Sequence, residues 1–141
     1  MPLLHPNLPA TLTTLDRANF VVVVPIVARL RDGRLLRIET DCPTDGMSGG
    51  AVVRELFEDT NTFIPSIFHD ALNRGCVSHS FDGGATWTRW TGYSRSEIDA
   101  IFRELLEDNG CPAWKAAMIF DGVEEFGQSA WDNHAKERGW A

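Results

Sequence analysis

Apolar positions follow two rhythms along this chain. From Phe20 to Leu30 they run nearly unbroken and β-branched (Val21, Val22, Val23, Val24, Ile26, Val27), which is strand composition. Asp32-Gly33 follows, and Leu35-Leu36-Arg37-Ile38 resumes the run. Asp-Gly supplies the positive φ of a type I′ turn, so the two runs predict a β-hairpin. Pro25 removes a ladder donor from the first run and predicts an edge or a bulge. Further on, the period lengthens. Ile64, Ile67, Phe68, Ala71 and Leu72 predict a helix from Pro65 to Arg74, stopped by Gly75. Ser94 and Glu97 form a capping box, and Ile98, Ile101, Phe102, Leu105 and Leu106 carry the next helix to Gly110. Pro112 opens a third helix to Phe126, with Trp114, Ala117, Met118 and Val123 as its expected inner face, and Gly127 breaks it. Short helices are expected from about Ala51 to Phe57, after a loop at Cys42 to Gly50, and from Gln128 to Arg138 around Trp131.

Between the first two long helices, Ser80-Phe81-Asp82-Gly83-Gly84-Ala85-Thr86-Trp87 fits S-x-D-x-G-x-T-W. That resembles the Asp-box of sialidase-type propellers, a hairpin turn whose Asp and Thr hold the loop while the Trp packs beneath. The resemblance implies a hairpin over about Val77 to Thr91. It occurs once, and a propeller repeats it in every blade, so it is a structural device and no sign of glycosidase chemistry. The fold class is therefore α+β: an N-terminal β-hairpin, an inserted Asp-box hairpin at about 76–92, and four to five helices packed as a mostly helical core. Residues 1–19, with Pro2, Pro6 and Pro9, read as an irregular arm, and 20–141 as a single globular domain.

Composition narrows the function classes. A chain of 141 residues with 43% hydrophobic content, five Trp and eight Phe is a globular domain with its own core. A formal charge of −7 argues against a nucleic-acid surface. Only Arg29, Arg31, Arg34 and Arg37 lie close together, on the expected hairpin. No apolar run reaches bilayer-spanning length and no signal peptide is evident, so the expected location is a virion or a host cytoplasm. Cys42, Cys76 and Cys111 have no metal-ligand spacing. They read as reduced thiols acting as small buried hydrophobes.

Chemistry concentrates in three stretches: Thr44-Asp45-Gly46-Met47-Ser48, His69-Asp70, and Asp99. On the predicted helix His69 and Asp70 stand about 100° apart, on two polar shoulders of the apolar stripe. Thr44-Asp45-x-x-Ser48, His69-Asp70-x-Leu72, Asp99-x-x-Phe102 and Gly127-x-x-x-Trp131 together resemble the domain-of-unknown-function 1353 family, small proteins mostly of bacteriophages and prophages. The resemblance covers roughly residues 38–131. Two departures stand out: Gly50 where the family has Pro, and the Asp-box hairpin in place of a short loop. It implies a phage origin and no particular reaction.

The His-Asp pair also resembles the active helix of secretory phospholipases of the A2 type. That likeness implies His69 as base toward water, Asp70 as a calcium ligand with Asp45 as a second candidate, and Asp99 as the group orienting His69. Carbonyls of the loop at Gly46, Gly49 and Gly50 would complete the calcium shell. The chemistry is coherent, since imidazole accepts a proton near neutrality and calcium takes oxygen ligands. That family's disulfide framework is missing, as is a Tyr four residues after the His. Gly46-Met47-Ser48-Gly49-Gly50 further satisfies G-x-S-x-G, which makes Ser48 a candidate nucleophile toward His69. Structural alternatives stand beside each: Ser48 as an N-cap, Asp45 in an Asx-turn, and a His69–Asp99 bond tying two helices. His5, His79 and His134 read as surface residues, and Trp87, Trp90, Trp114, Trp131 and Trp140 as core and hairpin packing.

Two function classes follow. One is a virion-associated tail, baseplate or connector component, contacting other phage structural proteins or copies of itself and retaining a hydrolase-like His/Asp centre. The other is a small metal-assisted hydrolase, with calcium as the candidate ion, that acts on lipid or cell-envelope material during phage entry or lysis.

Overall fold

The computed structural model describes residues 12–14, 20–22, 25–40, 42–44 and 60–140. The described strands are β1 (Leu12–Thr14), β2 (Phe20–Val22), β3 (Ile26–Arg29), β4 (Leu35–Ile38), β5 (Pro43–Thr44), β6 (Val77–Ser80) and β7 (Thr88–Arg89). The described helices are α1 (Thr60–Arg74), α2 (Arg95–Asp108), α3 (Ala113–Phe126), α4 (Gln128–Asn133) and α5 (Ala135–Arg138). The class is α+β, as the periodicities require. The short helix expected at Ala51 to Phe57 lies outside the described residues.

The long apolar run from Phe20 to Leu30 is not one strand. Antiparallel β1-β2-β5 form one sheet and β3-β4-β6-β7 another, with Pro25 between β2 and β3. A residue without an N–H cannot continue a ladder, so the run is divided between two sheets. The arm expected to be irregular contributes β1. At the first hairpin the Gly33 N–H donates to the Leu30 carbonyl at 3.0 Å and the Leu30 N–H to the Arg34 carbonyl at 2.8 Å. The loop thus holds three residues, 31–33, rather than the two of a type I′ turn. Gly33 takes positive φ, +91°, and the Asp32 carboxylate accepts from the Arg34 N–H at 2.9 Å.

The Asp-box hairpin is an integral part of the sheet. Strand β6 pairs with β4 in the register Leu36↔His79 and Ile38↔Val77. Ala28, Leu36, Ile38 and Val77 share the face that packs on α1. In the turn, the Ser80 hydroxyl donates to Asp82 Oδ1 at 2.6 Å and accepts from the Gly84 N–H at 2.9 Å. Thr86 donates to the same carboxylate through its N–H, at 2.9 Å, and through its hydroxyl. Arg37 stacks on Trp87, 4.3 Å from the ring centre. The Ser80 and Thr86 donors hold the Asp82 carboxyl well below the usual carboxylate range. A depressed folded value means stabilisation that is present above the unfolded pKa and lost as pH falls. Between about pH 4 and pH 2 the thermal midpoint of the wild type should therefore fall more steeply than that of Asp82→Asn. Parallel acid limbs would remove Asp82 from the acid response.

Helix α1 differs most from its sequence profile. It begins at Thr60 and accommodates Pro65 internally. From Ile64 to Asn73 every residue is buried, including Ser66, His69, Asp70 and Asn73. The sheet covers one side, and α2, α4 and α5 cover others. His69 and Asp70 are thus inside, not on shoulders facing a cleft.

The α2 capping box forms as expected, with Glu97 N–H to Ser94 Oγ and Ser94 N–H to Glu97 Oε1 both at 3.2 Å. The inner face of α3 is Ala116, Ile119 and Val123, packed on Phe102 and Leu106. Trp114 and Met118, expected there, are 65% and 50% exposed. Gly127 links α3 to α4 at φ −80°, so it joins the two helices without leaving the right-handed region.

Cys42 and Cys76 are joined in a disulfide with their Cα atoms 6.0 Å apart. This corrects the expectation of reduced thiols for both. Antiparallel pairing of β4 with β6 brings the ends of those strands together, and the Cα spacing is ordinary for a disulfide. Cys111 lies outside the disulfide and is buried, as expected.

Candidate functional site

Helix α1 brings His69 against α2, where His69 Nε2 lies 2.7 Å from Asp99 Oδ1. The two side chains are only 7% and 5% exposed. With Asp99 as a carboxylate, the imidazole donates from Nε2. The His69 ring stacks on Phe102, one turn from Asp99, with centres 4.7 Å apart. Asp99 Oδ2 faces the Arg95 guanidinium, whose Nε is 3.5 Å away. Arg95 in turn donates to the carbonyls of Val123, at 2.7 Å, and Glu124, and to Gln128 Oε1 at 3.2 Å. One chain of polar contacts therefore joins α1, α2 and the end of α3. A buried carboxylate that accepts from one imidazole and faces a guanidinium meets the requirement that interior charge be paired.

Gly127 is part of this construction. A Cβ there would stand 3.1 Å from Arg95 Nη2 and collide with the Val123 carbonyl. The missing Cβ leaves room for the guanidinium beside the Val123 carbonyl.

A groove of about 370 Å³ opens beside the network, walled by Arg95, Asp99, Phe120, Glu124 and Gln128. Asp99 borders the groove and the imidazole lies behind it. That reverses the order expected of a His base oriented by an Asp. The only ring nitrogen left to act on water would be Nδ1, on a residue already buried.

Asp70 is engaged by a different partner. Asp70 is 1% exposed and its Oδ2 accepts from Arg74 Nε at 3.1 Å, one turn along α1. Arg74 also faces Glu137 at 3.6 Å. A carboxylate already held by a guanidinium is a poor start for a calcium shell. Among the described residues no group of three His, Cys, Asp or Glu is placed to hold a metal ion. Asp45 and Ser48 lie outside the described residues. His79, expected at the surface, is half-buried against Trp90, and burial with the nearby Arg34 lowers its pKa. His134 contacts Glu137 at 2.6 Å.

Three participants were not read from the sequence. Arg95 sits inside the capping-box motif, and its spacing of four from Asp99 was the available signal. The Tyr93 hydroxyl donates to the Leu72 carbonyl, and burial pushes that phenol's pKa up. Arg138 lies over Trp131, 3.4 Å from the ring centre, and donates to the Asn73 carbonyl at 3.0 Å. Trp140 Nε1 donates to the Tyr93 carbonyl at 3.2 Å. These contacts fasten α5 and the C-terminal turn over the end of α1.

Fold and site together define a small α+β domain built around a buried His–Asp–Arg network. Comparison with protein-family models, curated proteins and solved structures gives no match. Among the described residues no helix is long and apolar enough to cross a membrane.

Proposed function

We propose that this chain is a bacteriophage virion-associated protein, a tail, baseplate or connector component, whose His69–Asp99 centre ties helices together instead of turning over a substrate. The observation that carries this is the closure of the pair: Nε2 is taken by Asp99 and both side chains are more than nine-tenths buried. Asp99, Phe102, Gly127 and Trp131, which carry the resemblance to the phage family, serve internal contacts in the same region. The Cys42–Cys76 disulfide suits an assembled particle better than a reducing cytosol.

The test replaces His69 by Ala and Asp70 by Asn and follows stability, calcium and zinc binding by calorimetry, and particle infectivity. The expected result is earlier melting, no change in ion uptake, and infectious particles wherever the variants are incorporated. Variants that fold and assemble normally yet give non-infectious particles would overturn it. The groove bordered by Asp99 favours the second reading, a metal-assisted hydrolase of lipid or envelope material. That reading requires calcium uptake by the wild type that Asp70→Asn abolishes.

A further inference from the structure

Among the described residues three large apolar side chains are left outside the core: Phe81 at 76% exposure, Trp114 at 65% and Met118 at 50%. They form two patches of different character. Trp114 and Met118 lie one turn apart on α3, and Asp121 and Glu125, also exposed, continue the same line of that helix. The opposite side of α3 is already satisfied by Ala116, Ile119 and Val123 against α2. The helix thus carries a second, unused stripe, apolar at its start and acidic toward its end. Phe81 sits at the tip of the Asp-box turn. Its neighbour Asp82 is locked into the turn by Ser80 and Thr86, so the loop is held before any partner arrives. The Arg34 guanidinium stands 5.9 Å from the Phe81 ring centre and 4.4 Å from that of Trp90. The tip is an aromatic knob with a cation beside it.

The two patches pair apolar surface with apolar surface and a cation with two carboxylates. From the described geometry we infer that the chain associates head to tail with a second copy, the Phe81 turn of one seating on the Trp114–Met118 stripe of the next, with Arg34 facing Asp121 and Glu125. This rests on the assembly reading and assigns the surface that performs it. Because the two patches differ, the contact is heterologous and builds rings or open chains instead of a closed twofold pair. A pre-fixed knob loses little freedom on docking, which favours a small contact. Opposite charges at its rim make the association weaken with added salt.

Sedimentation of the full chain across a concentration series tests this, with Phe81→Ser and the double variant Trp114→Ser/Met118→Ser. All three sites are exposed, so the variants are expected to melt like the wild type. The wild type should form species beyond the dimer, and each variant should weaken association at least about tenfold. Each variant keeps one intact half, so an equimolar mixture should stop at heterodimers. A wild type that remains monomeric up to its solubility limit overturns the contact, and the particle-incorporation experiment above then judges the assembly reading by itself. Loss of association in the Trp114/Met118 variant with none in Phe81→Ser would mean an α3–α3 dimer, and would overturn it equally. Association unchanged in both variants would do the same.

Discussion

Reduction of the Cys42–Cys76 disulfide should lower the stability of the domain by about 3–4 kcal/mol, the loop-entropy value for a sequence separation of 34. For a chain of this size that is roughly 10–15 °C in Tm. The loss arises in the unfolded state, which gains conformations once the crosslink opens. The folded geometry around the two residues has its own supports: the Glu39 N–H donates to the Cys76 carbonyl at 3.2 Å and the Cys42 N–H to the Glu39 carbonyl at 3.3 Å. Reduced protein should therefore still fold, but melt earlier. Calorimetry with and without reductant measures the shift, and Cys42→Ala/Cys76→Ala should reproduce it without reductant. Alkylation of the unfolded chain supplies the covalent check, with one site modified before reduction, at Cys111, and three after. Three modified sites without reductant would restore the reading of all three cysteines as thiols.

What the sequence disclosed was mostly local. Capping at Ser94 and Glu97, the left-handed Gly110 and the Asp-box pattern are decided by neighbours within a few residues, and each forms where its signature lies. What it concealed was decided across the fold. Cys42 meets Cys76 because β4 pairs with β6, a non-local event that cysteine spacing does not encode. Burial of α1 on all sides depends on α4 and α5 closing over it. Its polar residues therefore looked like shoulders when they are interior groups with partners. On α3 Val123 was placed correctly, but Trp114 and Met118 displaced Ala116 and Ile119 as candidates for the core. Hydropathy ranks residues and cannot say which of two stripes a neighbouring helix covers.

Of the expected site, the His69–Asp99 pairing was legible because a buried carboxylate beside Phe102 needs a donor and the imidazole was the natural one. Arg95 was hidden by a motif with a simpler explanation. Its guanidinium reaches the carbonyls of Val123 and Glu124 beside Gly127, which has no Cβ to crowd it, a condition with meaning only once α3 is in place. Asp70 was grouped with His69 by adjacency, yet successive residues on a helix face different neighbours, and Arg74 claims it.

Breaking the pair from one side should have the largest effect of any substitution in the helical layer. Asp99→Leu leaves the buried His69 without its acceptor and Arg95 without its facing charge, and should cost roughly 3–5 kcal/mol. His69→Phe should cost less, because a ring at that position keeps the stack on Phe102. In the double variant the two changes should not add: an apolar pair of similar shape removes both the interaction and the desolvation of its members, and a coupling of about 1–3 kcal/mol should return. Denaturant unfolding of the four proteins closes this cycle, with unchanged m-values as the sign that the folded state is retained. The double variant also separates chemistry from architecture. If the pair serves only to lock α1 to α2, His69→Phe/Asp99→Leu folds, enters particles and supports infection. A double variant that recovers its stability and assembles, yet yields inert particles, would mean that the imidazole and carboxylate act on something outside the fold.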